Sequence, residues 1–262
     1  MPLLCNKQGH IATLTLSRPE ARNAWDEDYN DGLQALLPEL EADDTIRCVI
    51  LTGDEDGHAF SAGANLADEH THTVDSPAEF IKDLPRWHKF VTNLLADFSK
   101  PVIGAVNGLA IGIGSITTYS CDLIIASDRA EWRAPQVQLG IMPAYGGSVR
   151  MARWVGKGHA MKASLGFPID AEEAYRIGLA QWLVPHGELM DRAGEIAEEI
   201  ASRPPLATRL AKESLNRGLD IPNIRDASQA DVYRFGILTQ TEDAMEAHQA
   251  WREKRPPEVR GQ

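Results

Sequence analysis

"KPVIGAVNGLAIGIGSITTYSCDLIIAS", residues 100–127, holds an apolar run over 101–111, a glycine-rich turn and a second apolar run, CDLIIAS. A buried strand that ends in small residues lets main-chain N–H groups come close to a ligand, and the free N–H groups of a following helix favour negative charge there. Where an acid or base would be sought, this turn carries isoleucine, threonine and tyrosine. It can receive an anion but has no group to move a proton.

Outward from this stretch the first half of the chain alternates strands with helices. IATLTLS (11–17) alternates like a strand, DEDYNDGLQALLPELEAD (26–43) is a helix with an acidic start, and CVILTG (48–53) is a short apolar run stopped by glycine. HAFSAGANL (58–66) repeats that design, and a helix is expected over about 77–97. Beyond residue 127, AEEAYRIGL, ELMDRAGEIAEEIASR, PLATRLAKESLNRGL and DVYRFGILTQTEDAMEAHQAWREKR show helical spacing. The expectation is an α/β core over residues 1–184 and a helical region over 185–262.

With 262 residues, 43% of them hydrophobic, the chain can bury one large core. Twenty-six Lys and Arg against 38 Asp and Glu give a net charge of −12, which disfavours nucleic acid or an acidic membrane as partner. The start lacks a basic segment followed by an apolar one, and no apolar run approaches the ~20 residues of a membrane span. A cytoplasmic enzyme is the expectation. Cys5, Cys48 and Cys121 are odd in number and without CxxC spacing, so buried thiols are expected at 48 and 121 and no metal site follows.

Two glycine turns stand out, FSAGANL (60–66) and GLAIGIGS (108–115). The second lacks the further glycine and the acidic residue of a dinucleotide fingerprint. N–H groups converging from both turns would make an oxyanion hole, stabilising an enolate or tetrahedral oxyanion formed from a thioester.

AFSAGANL, KPVIGAVNGLAIGIG, CDLIIASDRAEW, LGIMPAYGGSVRMARWVG, DAEEAYRIGLAQWLVP, PLATRLAKESLN and TEDAMEAHQAWREKR resemble, in order and spacing, the enoyl-CoA hydratase/isomerase (crotonase) family. The resemblance implies the crotonase (ClpP-like) fold, an α/β superhelix of ββα units with a helical C-terminal region at a trimer interface, the trimers often pairing. It implies an acyl-CoA substrate whose adenine end lies near the first turn, with Arg22, Ala24, Ala62, Gly63, Ala64, Asn65 and Leu66 as contacting positions. Coenzyme A enters as part of the substrate, with no permanently bound cofactor and no metal. The oxyanion N–H groups carry over to Ala64 and Ile113. The family's two glutamates carry over to Ile116 and Gln136, so both carboxylates are absent.

Several residues are considered as replacements. Tyr145 reads as an aromatic lid over the acyl chain or as a phenolic donor; Gln136 as a water-orienting amide or a spacer; Arg133 as a carboxylate partner or a solvated cation. His70 and His72 have the right unperturbed pKa for proton transfer but sit in a polar segment, and Tyr119 and Tyr233 are further aromatic options. Three readings stay open: an acyl-CoA enzyme that decarboxylates, hydrolyses or cleaves through an enolate or oxyanion; a non-catalytic acyl-CoA-binding protein; and a hydratase or isomerase with relocated acid and base.

Overall fold

The computed structural model of the chain describes residues 2–66, 76–87 and 90–262. β1 (Leu3–Gln8) and β2 (Ile11–Leu16) form an antiparallel hairpin turned at Gly9, whose φ of +57° suits glycine. α1 (Glu27–Ala42) starts where the Asp26 carboxylate accepts from the Asp28 N–H. β3 (Cys48–Gly53) and β4 (Ala59–Ser61) follow, then α2 (Pro77–Trp87) and α3 (Val91–Asp97). The helix expected over 77–97 is therefore interrupted.

The run over 101–111, expected as one strand, is two. β5 (Val102–Val106) ends at Asn107, and β6 (Leu109–Ile111) belongs to another sheet. Gly108 makes the crossing possible, since a Cβ there would stand 3.0 Å from the His58 carbonyl oxygen. α4 (Ile113–Thr118), β7 (Leu123–Ser127) and β8 (Glu131–Arg133) come next. α5 (Gly147–Ser164), broken at Gly156, then leads to β9 (Ile169–Asp170), α6 (Ala171–Arg176) and β10 (Trp182–Val184). The short strands β8, β9 and β10 fall outside the stretches with helical spacing and are not marked as strands by the sequence pattern.

Two sheets result among the described residues, in the orders β1-β2-β3-β5-β7-β10 and β4-β6-β8-β9. β2 through β10 run parallel in the first, and β4, β6 and β8 run parallel in the second. The chain passes from the first sheet to the second three times, β3 to β4, β5 to β6 and β7 to β8, so two stacks of strands rise together. This is the α/β coil of ββα units that the sequence led us to expect.

Strand alternation divides the core. Val49 and Leu51 of β3 face the main apolar cluster with Leu14, Leu33, Phe60 and Trp132. Cys48 and Ile50 face the other way, onto Leu189, Ala193, Ile196 and Ile200 of α7 (Leu189–Ala201). Cys48 and Cys121 are buried and Cys5 is exposed; burial pushes the Cys48 thiol up to about 12.

α8 (Pro205–Gly218), α9 (Ile224–Leu238) and α10 (Glu242–Glu253) complete the chain. α8 is fastened to the sheet by a largely buried ion pair, Lys212 Nζ to Asp122 Oδ2 at 2.7 Å, with the two side chains 7% and 20% exposed. The same carboxylate accepts from the Val102 N–H (2.8 Å), and Lys212 also donates to the Lys100 carbonyl (3.0 Å). No helix among the described residues is long and apolar enough to cross a membrane. α9 leaves Val232, Phe235 and Ile237 about two-thirds exposed, at 66%, 68% and 65%.

Candidate active site

The second sheet sets the two glycine turns side by side. Ala59 is opposite Leu109 and Ser61 opposite Ala110, so β4 and β6 release their turns at the same end. The contact is main chain on main chain. A Cβ on Gly63 would stand 2.7 Å from the Ile111 carbonyl oxygen, and one on Gly114 would stand 2.7 Å from that of Ser61. Gly63 also has φ +88° and Gly112 φ +54°, conformations that other residues adopt only under strain.

At the first turn, Trp25 and Ala64 form a parallel bridge in which the Trp25 N–H donates to the Gly63 carbonyl (2.7 Å) and the Asn65 N–H to the Trp25 carbonyl (2.8 Å). A parallel ladder that uses the flanking groups leaves the N–H of the middle residue, Ala64, pointing to the opposite side. At the second turn, Ile113 is the first residue of α4, where an N–H has no partner within the helix. Its side chain is 8% exposed and belongs to the main apolar cluster. An isoleucine fits here because its bulk goes into the core while its N–H stays at the turn. Two such donors can hold a carbonyl oxygen as it gains charge.

Ile116 follows one helical turn later, 2% exposed. It packs so closely on the start of α5 that a Cβ on Gly147 would stand 2.8 Å from Ile116 Cγ1. Gln136 lies just after β8 in a short 3-10 turn, Pro135–Leu139. Its Nε2 sits 3.5 Å from where a Cβ on Gly112 would be, and its Oε1 is buried with no hydrogen-bond partner. A hydrocarbon and a neutral amide thus flank the second turn. Neither titrates near neutral pH.

Tyr145 precedes Gly146 and Gly147 in the loop that meets Ile116. It is 40% exposed, has the left-handed φ of 53°, and stacks on Phe90 with ring centroids 4.3 Å apart. Its carbonyl accepts from the Thr92 hydroxyl at 3.2 Å. Other sequence candidates lie elsewhere. Arg133 is exposed and paired with Glu131; Tyr119 is buried, and burial pushes its phenol upward; Tyr233 is exposed on α9, accepting from Gln229. His70 and His72 lie outside the described residues.

The positions around the first turn are brought together. The Ala62 N–H donates to the Arg22 carbonyl (3.0 Å), and the bridge at Trp25 lays Arg22 and Ala24 alongside Ala62, Gly63, Ala64 and Asn65, with exposed Leu66 beyond. Arg22 is exposed. Sequence reasoning missed the residue that fixes this arrangement, Asn23, fully buried with φ 55°. Its Nδ2 donates to the carbonyls of Asp54 (3.0 Å) and Ala59 (2.8 Å), and its Oδ1 accepts from the Arg18 N–H (3.0 Å). The one available signal was the residue type, since asparagine tolerates the left-handed region.

Comparison with known proteins agrees along the whole chain. The enoyl-CoA hydratase/isomerase family profile matches residues 6–262. A short-chain-enoyl-CoA hydratase of Clostridium acetobutylicum is 37% identical over 97% of this chain and 95% of its own length. A 2,3-dehydroadipyl-CoA hydratase of Escherichia coli is 34% identical over 99% and 98%. The crystal structure of an enoyl-CoA hydratase from Bacillus anthracis superposes with a TM-score of 0.92 at 30% identity, covering 100% of both chains.

Proposed function

The chain belongs to the enoyl-CoA hydratase/isomerase family, and from that premise we propose that it binds a CoA thioester, holds the thioester oxygen with the Ala64 and Ile113 N–H groups, and is not an efficient crotonyl-CoA hydratase. The observation that carries this reading is the combination at the second turn: a tight glycine turn running into the N-terminus of α4, flanked by buried Ile116 and by Gln136. Hydration of a double bond needs a base to activate water and an acid to protonate the α-carbon, and these two side chains supply neither. An enolate formed by loss of CO2 is generated without a base and is stabilised by the hole, whereas attack on the thioester needs a nucleophile as well.

Titration calorimetry with acetyl-CoA and a longer acyl-CoA tests the binding claim. Heat of binding saturable below the millimolar range is expected; no heat and no thermal shift at millimolar ligand would remove the basis of the reading.

The same reading makes the molecule a trimer or a pair of trimers. It is supported by the exposed apolar side chains of α9 and by Trp251, 80% exposed on α10, which gain about 25 cal/mol per Å² on being covered. Light scattering at micromolar concentration should give three or six times the chain mass, and a monomeric mass would contradict it.

A further inference from the structure

Thr52 shares the strand alternation of Cys48 and Ile50, which turn toward α7 and away from the main apolar cluster. Beside it, at the carboxyl ends of β2, β3 and β5, where parallel sheets hold ligands, opens a cavity of about 280 Å³. Its lining includes none of Ala64, Ile113, Ile116 and Gln136, and it is divided in kind: Leu189 and Met190 at the start of α7 are apolar, whereas Thr52, Asp54, Glu55, Asn107 and His186 are polar.

The polar atoms that remain there are acceptors. Asn107, 5% exposed, donates from Nδ2 to the Gly53 carbonyl (2.9 Å) and toward Glu55 Oε2 (3.4 Å), and its Oδ1 is buried with no hydrogen-bond partner. His186 Nε2 meets Glu55 Oε1, which places the ring hydrogen on Nε2; in the neutral ring Nδ1 is then an acceptor, and it too is buried without a partner. Thr52 gives its hydroxyl hydrogen to the Ala105 carbonyl at 2.9 Å and can only accept. Among the described residues neither Asp54 nor Glu55 is paired with a lysine or arginine; Arg129 acts on Glu55 from further away. Buried acceptors that no donor reaches are unfavourable by themselves.

We propose that this cavity binds a small organic ammonium ion, its N–H groups donating to Asn107 Oδ1, His186 Nδ1 and the Glu55 carboxylate and its alkyl part lying on Leu189 and Met190. Asn107 and His186 hold the same carboxylate, which keeps the two unpartnered atoms in one neighbourhood. An ammonium has three donors and no acceptor, and it carries the charge opposite to the carboxylates. A metal ion matches less well, because among the described residues no three His, Cys, Asp or Glu side chains are grouped to hold one. The volume equals that of about nine waters at about 30 Å³ each, room for an amine of about four to six carbons. The site stands independently of the acyl-CoA reading above.

Thermal unfolding of the full chain against rising n-butylammonium chloride, with n-butanol and sodium chloride as controls, tests this. The amine should raise the midpoint saturably, with a half-effect below about 10 mM, and n-butanol, equal in length and uncharged, should need at least about tenfold more. Equal effects of amine and alcohol overturn the proposal, since an apolar cavity would then suffice, and equal effects of amine and sodium chloride overturn it as a response to salt. No shift with the amine leaves the cavity to water and overturns it too. Glu55→Gln, at a side chain 62% exposed, removes the charge and should raise the half-effect at least about tenfold; an unchanged value puts the amine elsewhere and overturns the assignment. Should Glu55→Gln not fold, Met190→Trp, at a position 41% exposed, keeps every acceptor, fills the apolar side of the cavity and should abolish the shift, and a shift retained there overturns the proposal equally.

Discussion

Offered crotonyl-CoA, the unmodified chain should hydrate it at least ~10²-fold more slowly than the double variant Ile116→Glu, Gln136→Glu, since positioned acid–base groups contribute about 10²–10⁴-fold. Each single change should do little, because the two carboxylates act on one water as a unit. The structure shows why the pair has a chance to work. Gln136 reaches over Gly112 beside the Ile113 N–H, and Ile116 lies one turn further along α4. A carboxylate in place of buried Ile116 would be desolvated and its pKa raised, the state suited to an acid, while one at the half-buried position 136 would be better solvated and suited to a base. Ile116→Glu also has to fit against Gly147, so folding should be verified by thermal unfolding first. The measurement is loss of crotonyl-CoA absorbance. Turnover of the unmodified chain at roughly 1–10³ s⁻¹ would contradict the reading and transfer the proton chemistry to Tyr145 or His70.

Replacing Lys212 by methionine should cost about 3–5 kcal/mol at neutral pH, because it strips the counter-ion from the largely buried Asp122. Burial already raises the Asp122 carboxyl above its ordinary value, against the opposing pull of Lys212. A group whose folded pKa exceeds its unfolded one contributes stability below the unfolded pKa and loses that contribution as pH rises through the folded pKa. Removing Lys212 raises Asp122 further, so the deficit should be largest at neutral pH and shrink as the solution is acidified toward the carboxylate range. Adding Asp122→Asn should recover part of it. Urea unfolding at pH 7 and pH 5 reads the effect; a deficit under about 1 kcal/mol, or one independent of pH, would show that α8 is fastened by something other than this pair.

The fold was legible where glycine and apolar runs coincide. CVILTG and CDLIIAS became β3 and β7, and both glycine turns fell at strand ends as read. The split of residues 101–111 was not legible, since β5 and β6 are both apolar and the crossing at Asn107 and Gly108 is set by contact with His58, more than forty residues away in sequence. Of the candidate site, Ala64, Ile113, Ile116 and Gln136 could be picked out because the resemblance to the enoyl-CoA hydratase/isomerase family carries its oxyanion and glutamate positions onto them. Asn23 could not. Its importance comes from what it touches, the carbonyls of Asp54 and Ala59 on β4's approach, and nothing in the neighbouring sequence encodes that.

On the reading proposed above, Gly63 resting on Ile111 and Gly114 resting on Ser61 tie capture of the thioester to main-chain atoms that every residue type but proline possesses. On that reading a change at 116 or 136 would delete or replace a reaction without disturbing the proposed grip on the thioester, whereas a side chain added at 63 or 114 would meet backbone 2.7 Å away and pry the turns apart. The scaffold in this way separates what holds from what reacts. Selection can rewrite the second while the first stays in place, and a chain that has lost one chemistry keeps the means to acquire another.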